Sequence, residues 1–248
     1  MNDTVTVTGM VLTSSPMKEY DRRVELLTRE KGRISAFAQG ARKSGSALSG
    51  CTIPLIYGEF MVYEGRSSYS LRSASIRKSF GEIAADYDKT CYAAYFSEMA
   101  RYVCRENMDA SGELLLLYIT LLAMQKDKMP LKLIRVVYEL RLLMISGQGL
   151  ELFACLDCGK TDCASVYFQA GGLLCGSCAE KHPELKNARP FVLSGDALYS
   201  LQFILSTPLE KLYTFLVSDS VLEELVHFMR AYMGRFLPYK FKSLEFLD

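Results

Sequence analysis

Thr4-Val5-Thr6-Val7-Thr8-Gly9-Met10-Val11-Leu12 is rich in β-branched residues and partly alternates polar with apolar side chains, the pattern of a strand with one buried face. Outward from it, Arg23-Val24-Glu25-Leu26-Leu27-Thr28, then Glu30-Lys31-Gly32-Arg33, then Ile34-Ser35-Ala36-Phe37-Ala38 read as a hairpin with its glycine at the turn. A second pair, residues 55–63 and 69–76, flanks the turn Gly65-Arg66-Ser67-Ser68. Between the pairs lies a basic loop, Gln39-Gly40-Ala41-Arg42-Lys43-Ser44-Gly45-Ser46. Five short strands in about 75 residues suit a small closed barrel such as an OB-fold. An SH3-like barrel would give much the same pattern.

From Gly81 the hydrophobic period lengthens to between three and four. Tyr92, Tyr95, Phe96, Met99, Tyr102 and Val103 mark a helix over residues 87–105, and residues 113–124 and 131–145 carry two more, the last ended by Gly147 and Gly149. Before its final turn, the helix over 131–145 has only Lys132, Arg135, Glu139 and Arg141 as polar positions, so most of its circumference requires covering neighbours. Thr207-Pro208-Leu209-Glu210 and Ser220-Val221-Leu222-Glu223 each have the form of a helix start, a hydroxyl followed by a glutamate three residues on. Pro238 ends the second, leaving a short aromatic tail. The expected architecture is α+β and multidomain: an OB-fold-like barrel over residues 1–80, an all-α domain in two parts over 81–150 and 186–248, and a cysteine-rich insertion over 151–185.

The chain has 248 residues, half of them hydrophobic, which is enough to bury a real core and excludes disorder as the main state. Lys and Arg number 29 against 28 Asp and Glu, so the net charge marks neither a nucleic-acid nor a membrane-surface protein. The distribution says more. Residues 1–80 hold 12 Lys/Arg and 7 Asp/Glu, and the rest hold 17 and 21, so the first third is the basic part. No apolar run reaches the ~20 residues of a membrane span, and Met1-Asn2-Asp3-Thr4 lacks the basic and apolar regions of a signal peptide. Eight cysteines are too sparse for a disulfide scaffold, which points to a reducing, cytoplasmic setting.

Cys155-Leu156-Asp157-Cys158 and Cys175-Gly176-Ser177-Cys178 are two C-x2-C pairs separated by 16 residues. Such spacing lets each pair wrap one side of a tetrahedral zinc ion, with sulfurs at about 2.3 Å, while Val166-Tyr167-Phe168 and Gly172-Leu173-Leu174 form a hairpin between them. Four thiolates close the coordination sphere, so the expected zinc is structural and metal-assisted hydrolysis is disfavoured. Cys163 and His182 lie close by, but they read better as a loop cysteine and an exposed neighbour of Pro183 than as replacement ligands. Cys51, Cys91 and Cys104 are single and read as small buried apolar residues.

The two histidines, His182 and His227, assemble no Ser/His/Asp or Cys/His set, and Gly40-Ala41-Arg42-Lys43-Ser44-Gly45 has the composition of a phosphate loop without its order. The chain therefore reads as a non-enzyme. Its basic third offers Arg22, Arg23, Arg33, Arg42, Lys43, Arg66, Arg72, Arg77 and Lys78 to a phosphate backbone, with Tyr20, Phe37, Tyr57, Tyr63 and Tyr69 as stacking platforms. The competing reading is a solvated basic face over core aromatics.

The motifs also have a characteristic order: Val7-Thr8-Gly9-Met10-Val11-Leu12, Leu26-Leu27-Thr28-Arg29-Glu30, Gly40-Ala41-Arg42-Lys43, Tyr138-Glu139-Leu140-Arg141-Leu142-Leu143, Gly171-Gly172-Leu173-Leu174-Cys175 and a closing Lys242-Ser243-Leu244-Glu245-Phe246-Leu247. This order resembles the bacterial recombination mediator family RecO over essentially the whole chain. The resemblance implies an N-terminal OB-fold and a helical domain with a zinc-binding segment set within it. It implies a protein that binds single- and double-stranded DNA, anneals complementary strands and, with RecR, helps load RecA onto strands coated by single-stranded-DNA-binding protein (SSB). The helical domain would contact the acidic C-terminal tail of SSB, RecF would be a further partner, and the setting would be cytoplasmic and nucleoid-associated. Carried onto this chain, Arg42 and Lys43 become the leading DNA contacts, and Arg135, with Arg141 on the same helix, partners for the tail's carboxylates. Many family members lack the four cysteines, so zinc rests on the spacing alone. The alternative is a zinc-ribbon adaptor acting only through protein contacts, without affinity for DNA at moderate salt.

Overall fold

The computed structural model describes residues 4–65 and 68–247. They form two compact units, one holding the chain up to Gln125 together with Phe241 onward, the other Lys126–Lys240.

The first unit is built on five strands, β1 (Thr4–Met17), β2 (Asp21–Thr28), β3 (Gly32–Ala38), β4 (Ile56–Glu64) and β5 (Tyr69–Ser79). Alternation decides which side chains face in: β3 buries Gly32, Ile34, Ala36 and Ala38 and leaves Arg33, Ser35 and Phe37 on the other side. The strands close in the order β1-β2-β3-β5-β4, with β4 returning to β1 and a single parallel pairing, Ala36↔Tyr69 and Phe37↔Ser70, between β3 and β5. This crossover is the OB-fold arrangement and settles the barrel type left open by the strand pattern. Val7, Val11, Val24, Leu26, Ile34, Phe60 and Val62 fill the interior. One long strand serves two neighbours: β1 pairs with β4 over its first half and with β2 over its second, and a register shift between Val11 and Thr13 bends it between the two. Gly32 at the hairpin turn is required twice over, because its φ is +65° and a Cβ there would stand 2.1 Å from the Arg105 carbonyl.

Two helices, α1 (Tyr87–Val103) and α2 (Ser111–Lys126), belong to the same unit as the barrel. Asp86 caps α1 by accepting from the Lys89 N–H. Tyr118 of α2 sets its ring against Tyr57 of β4 and against Phe80, with centroids 4.7 and 5.5 Å apart, and Arg101 of α1 pairs with Glu25 of β2. The C-terminal tail docks on α1: Phe241 meets Tyr95 and Tyr102 edge-on, and Glu98 accepts from the Lys242 and Ser243 backbone N–H groups at 3.1 and 2.9 Å.

In the second unit α3 (Leu131–Ile145) buries Leu133, Ile134, Val136, Val137, Tyr138, Glu139 and Leu140, side chains that point around its whole circumference, as its near-continuous apolar sequence requires. After it come β6 (Ser165–Tyr167), β7 (Gly172–Leu173), the one-turn α4 (Gly176–Ala179), β8 (Phe191–Val192), α5 (Gly195–Ser206) and α6 (Asp219–Phe236). The helix starts differ from the expected ones. α6 is capped by Ser218, whose Oγ accepts from the Val221 N–H, and Ser220 spends its hydroxyl on Ser218. Thr207 closes a helix, donating its N–H to Phe203, and only a single 3-10 turn, Leu209–Lys211, follows it. That closed helix, α5, starts with Gly195 after its cap Ser194, and the glycine hides it in the sequence pattern.

Candidate functional site

The four cysteines of the two pairs come together in the second unit, with all four Sγ atoms within 4.8 Å of one another. The first pair sits on a tight turn in which Gly159, at φ +71°, donates its N–H to the Cys155 carbonyl, and Cys155 donates to Lys160. The second pair spans the start of α4, where the Cys178 N–H returns to the Cys175 carbonyl. Leu156 N–H to the Leu173 carbonyl, 2.9 Å, and Cys175 N–H to Cys155 Sγ, 3.4 Å, tie the two turns together. The hairpin expected between them is present, Val166 opposite Leu173, and β8 adds a third strand to it.

Zinc–sulfur bonds of about 2.3 Å imply sulfur–sulfur edges of about 3.8 Å in a tetrahedron, and Cys158 Sγ lies 3.7 Å from Cys175 Sγ. The donor set therefore fits a four-thiolate ion. Its electrostatics fit as well. Burial pushes the Cys155 thiol up, but N–H groups of Cys158, Cys175 and Asp157 aimed at the sulfur outweigh it and bring the pKa to about 6. Ser177 and the Cys178 N–H lower Cys175. Cys178 is held up at about 12 by hydrogen bonding to Cys175, with burial second. The protons that the sulfurs share are the ones a dication would displace. His182 and Cys163 stand outside the set: the imidazole nitrogens meet Glu184 at 2.8 Å and Asp157 at 3.0 Å, and Cys163 Sγ faces the Lys160 carbonyl.

Little apolar material supports these turns. The buried cluster around them is Cys155, Leu174, Cys178 and Leu185. The three-stranded sheet is anchored on α6 instead, through Phe168 stacked on Tyr232 and Phe191 edge-on to Phe228.

On the first unit, strand register gathers a second constellation. Residues directly opposite each other share a face, so Ser15, Arg23, Phe37, Ser70 and Tyr63 form one row across the outside of β1, β2, β3, β5 and β4. Arg23 donates to Ser35 Oγ at 2.8 Å, and the Arg72 guanidinium lies over the Tyr63 ring, 5.2 Å from its centroid. At the same end of the barrel the β1–β2 loop meets the basic loop: Arg42 N–H donates to the Tyr20 carbonyl at 2.8 Å, and Lys43 Nζ stands 5.6 Å from the centre of the Tyr20 ring. Exposed cations and the half-buried rings of Phe37 and Tyr63 thus interleave on the outer face of the barrel.

Not all nine basic candidates share it. Arg22, next to Arg23 in the strand, points to the opposite face and donates to Ser14. Arg33 is half-buried at the end of β3 where its N–H meets the Arg105 carbonyl. Arg77 pairs with Glu59, and Lys78 lies over Phe80, both at the far end of β5. Arg66 lies outside the described residues. Among the aromatics, Tyr69 is buried with its hydroxyl on Glu64 and Tyr57 packs on Tyr118, leaving Tyr20, Phe37 and Tyr63 on the surface. The parallel β3–β5 pairing that sets Phe37 beside Ser70 left no local signal in the sequence.

The two arginines of α3 have internal partners. Arg135 donates to Glu139 at 2.8 Å one turn on, with little of either side chain exposed. Arg141 reaches the Ile204 and Leu205 carbonyls at 3.0 and 2.8 Å, so it caps the C-terminal end of α5, where a cation is favoured. Nearby, Lys132, Leu222, Val226 and Arg230 line a cleft together with Asp219, Glu223 and His227, so its lining carries both signs of charge.

The family model described as recombination protein O N terminal matches residues 1–80, and recombination protein O C terminal matches residues 84–245. The chain is 34% identical over 242 residues to a DNA repair protein RecO of Acetivibrio thermocellus, covering 96% of this chain and 94% of the relative. It is 31% identical over 246 residues to one of Desulforamulus reducens, covering 97% and 92%. With one of Clostridium novyi the identity is 29% over 245 residues, covering 97% and 92%.

Proposed function

The chain belongs to the RecO family and has a role in DNA repair and recombination, and from that premise we propose that it is a mediator without chemistry of its own that holds DNA on the barrel row of Arg23, Phe37, Tyr63 and Arg72. The observation that carries this reading is the register that sets Arg23, Phe37 and Tyr63 on one outer face, with the Arg72 guanidinium over the Tyr63 ring. OB-folds bind oligonucleotides through the face of their second and third strands and the loops after the first and fourth, and Arg42 and Lys43, in the loop after β3, extend the surface where they meet Tyr20 of the β1–β2 loop. Cations contact phosphates and rings stack on bases of any sequence, which suits single strands. Backbone contacts that leave base edges free suit duplex DNA and the annealing of complementary strands as well.

In the proposed division of labour residues 1–80 bind DNA, 81–150 and 186–248 supply the helical scaffold, and 151–185 hold a structural zinc through Cys155, Cys158, Cys175 and Cys178. The ion would cross-link two turns that have little core of their own. The second unit would receive the acidic tail of SSB at this cleft, with Lys132 and Arg230 as the cations and Leu222 and Val226 as the apolar contacts, against the opposing charge of Asp219 and Glu223 in the same lining. Arg135 lies three residues from Lys132 and so beside it on α3, and an arriving carboxylate would compete there with Glu139. RecR, with RecF as a further partner, would join the complex to load RecA, in the cytoplasm at the nucleoid.

The test is annealing of complementary oligonucleotides coated with SSB across a salt series. The protein should accelerate it, the acceleration should fade with salt, and Arg23→Ala should lower the salt slope by about one contact. Phe37→Ala should weaken single-strand binding by about 1–3 kcal/mol. Binding unchanged in both variants moves DNA off this face, and no affinity for DNA at moderate salt leaves the adaptor reading.

A further inference from the structure

A cleft of about 660 Å3 opens in the first unit, lined by Ala93, Ala94 and Ser97 of α1, by β1 beyond Met10, and by the exposed Ile53 and Phe246. Two observations show that its walls lack a polar partner, and a third shows what keeps them apart. Ser97 is 4% exposed, and its Oγ has no hydrogen-bond partner among the described residues. β1 leaves β4 at Met10↔Tyr57, so from Leu12 to Ser14 its β4-side edge is paired with no strand among the described residues. Leu55 turns the chain aside at that point in the left-handed region, φ +64°, held by its N–H on the Val11 carbonyl at 2.8 Å and by the Phe80 N–H on its own carbonyl. A non-glycine residue kept in that conformation is strain of the kind found at ligand clamps, and here the turn lies directly beyond the last contact of that side with β1, at Val11.

We propose that the cleft is a docking site for an extended segment of a partner protein, apolar at alternate positions and carrying an acidic residue. Its backbone adds a strand to β1 at Leu12 to Ser14, its apolar side chains enter over Ala93 and Ala94, and the Ser97 hydroxyl donates to one of its carbonyls. A docked helix satisfies its own backbone and would leave both the strand edge and Ser97 without partners. Nucleic acid does not suit an apolar lining, and Ile53 and Phe246, 47% and 65% exposed, add exposed apolar surface to it. Charge sets the acidic preference: Glu98 is occupied by tail amides and Arg101 by Glu25, whereas Lys242 is exposed in the lining with no ion pair among the described residues.

The experiment is selection of short random peptides displayed on phage against the intact protein, followed by affinity measurement of the best binder by fluorescence anisotropy. Selected peptides should alternate apolar residues with an acidic one. Ile53→Asp, at an exposed position that tolerates charge, and Ala94→Trp, which adds bulk to the cleft lining, should each weaken binding by roughly tenfold or more, with DNA affinity unchanged. The Ile53 variant keeps the test valid should the Ala94 variant not fold. Bound peptide should protect the amides of residues 12–15 from hydrogen exchange. The proposal is overturned if no peptide is selected, if neither variant weakens the binder, or if β1 amides gain no protection, which would mean a helical occupant. It is also overturned if Ile53→Asp dissolves a dimer in sedimentation, since a second copy would then cover the cleft.

Discussion

The barrel and the cysteine segment are both small β structures held by opposite means. Barrel strands of 7 to 14 residues close on Val7, Leu26 and Phe60, none with any exposed surface. The sheet beside the four thiols has strands of two or three residues and a buried cluster in which two of four members are themselves cysteines. Stability from apolar burial scales with the area removed from water, at about 25 cal/mol per Å2. The barrel has that area, and the segment must draw on sulfur and on the aromatic side of α6. A barrel filled from within does not depend on its outer row for its core.

The comparison breaks most visibly at the proposed ion. Metal removal by a strong chelator, or Cys175→Ser, should strip hydrogen-exchange protection from residues 155–178 while Leu26 and Phe60 keep theirs. Structural zinc contributes on the order of 10 kcal/mol in isolated fingers, and the part retained here by Phe168 on Tyr232 makes the loss smaller. A barrel that melts equally with the metal would sink the contrast. The converse is Phe60→Ala, expected to cost about 3–5 kcal/mol by leaving a cavity in the barrel, with zinc content by atomic emission unchanged. Next comes Arg141→Ala, which frees two helix-end carbonyls and should cost about 1.5–3 kcal/mol. A variant of parental stability that instead binds an SSB tail peptide less well would return Arg141 to the partner surface.

The asymmetry extends to what could be read in advance. Strands announce themselves by alternation and by turn glycines, so all five barrel strands and the hairpin at Gly32 were legible, as was the four-thiol set, whose spacing is itself the chemistry. Pairing between distant strands leaves no such mark. The Phe37–Ser70 juxtaposition depends on a parallel contact across 33 positions, and Arg22 and Arg23, adjacent in sequence, part company because a strand alternates its faces. α5 escaped because a glycine stands at its first position, and Thr207 imitated a helix start because a hydroxyl before proline looks the same where one helix closes. The texture change at Gly81 is real, but packing continues through it: α1 and α2 share their compact unit with the barrel.

The smallest expected effect concerns two buried glutamates, one in each unit. Glu139, 1% exposed, has Arg135 beside it, whereas Glu113 at the start of α2, 4% exposed, has no ion pair among the described residues. Burial raises the Glu113 carboxyl above the usual range, its own backbone N–H partly offsets that, and Asp109 adds to the rise. A carboxyl raised on folding binds its proton more tightly in the folded chain, so its contribution is complete below the unfolded pKa and lost as pH climbs through the folded one. Glu113→Gln removes that loss. The variant should unfold at a slightly higher temperature than the parent at pH 7 and at the same temperature near pH 4, measured by circular dichroism at both. Glu139→Gln should do the reverse at pH 7, because it strands the Arg135 guanidinium without its carboxylate. A Glu113→Gln chain that is less stable at pH 7 would mean that the carboxylate is held by an interaction that outweighs its burial, and the first unit would then rest on buried charge as the second does.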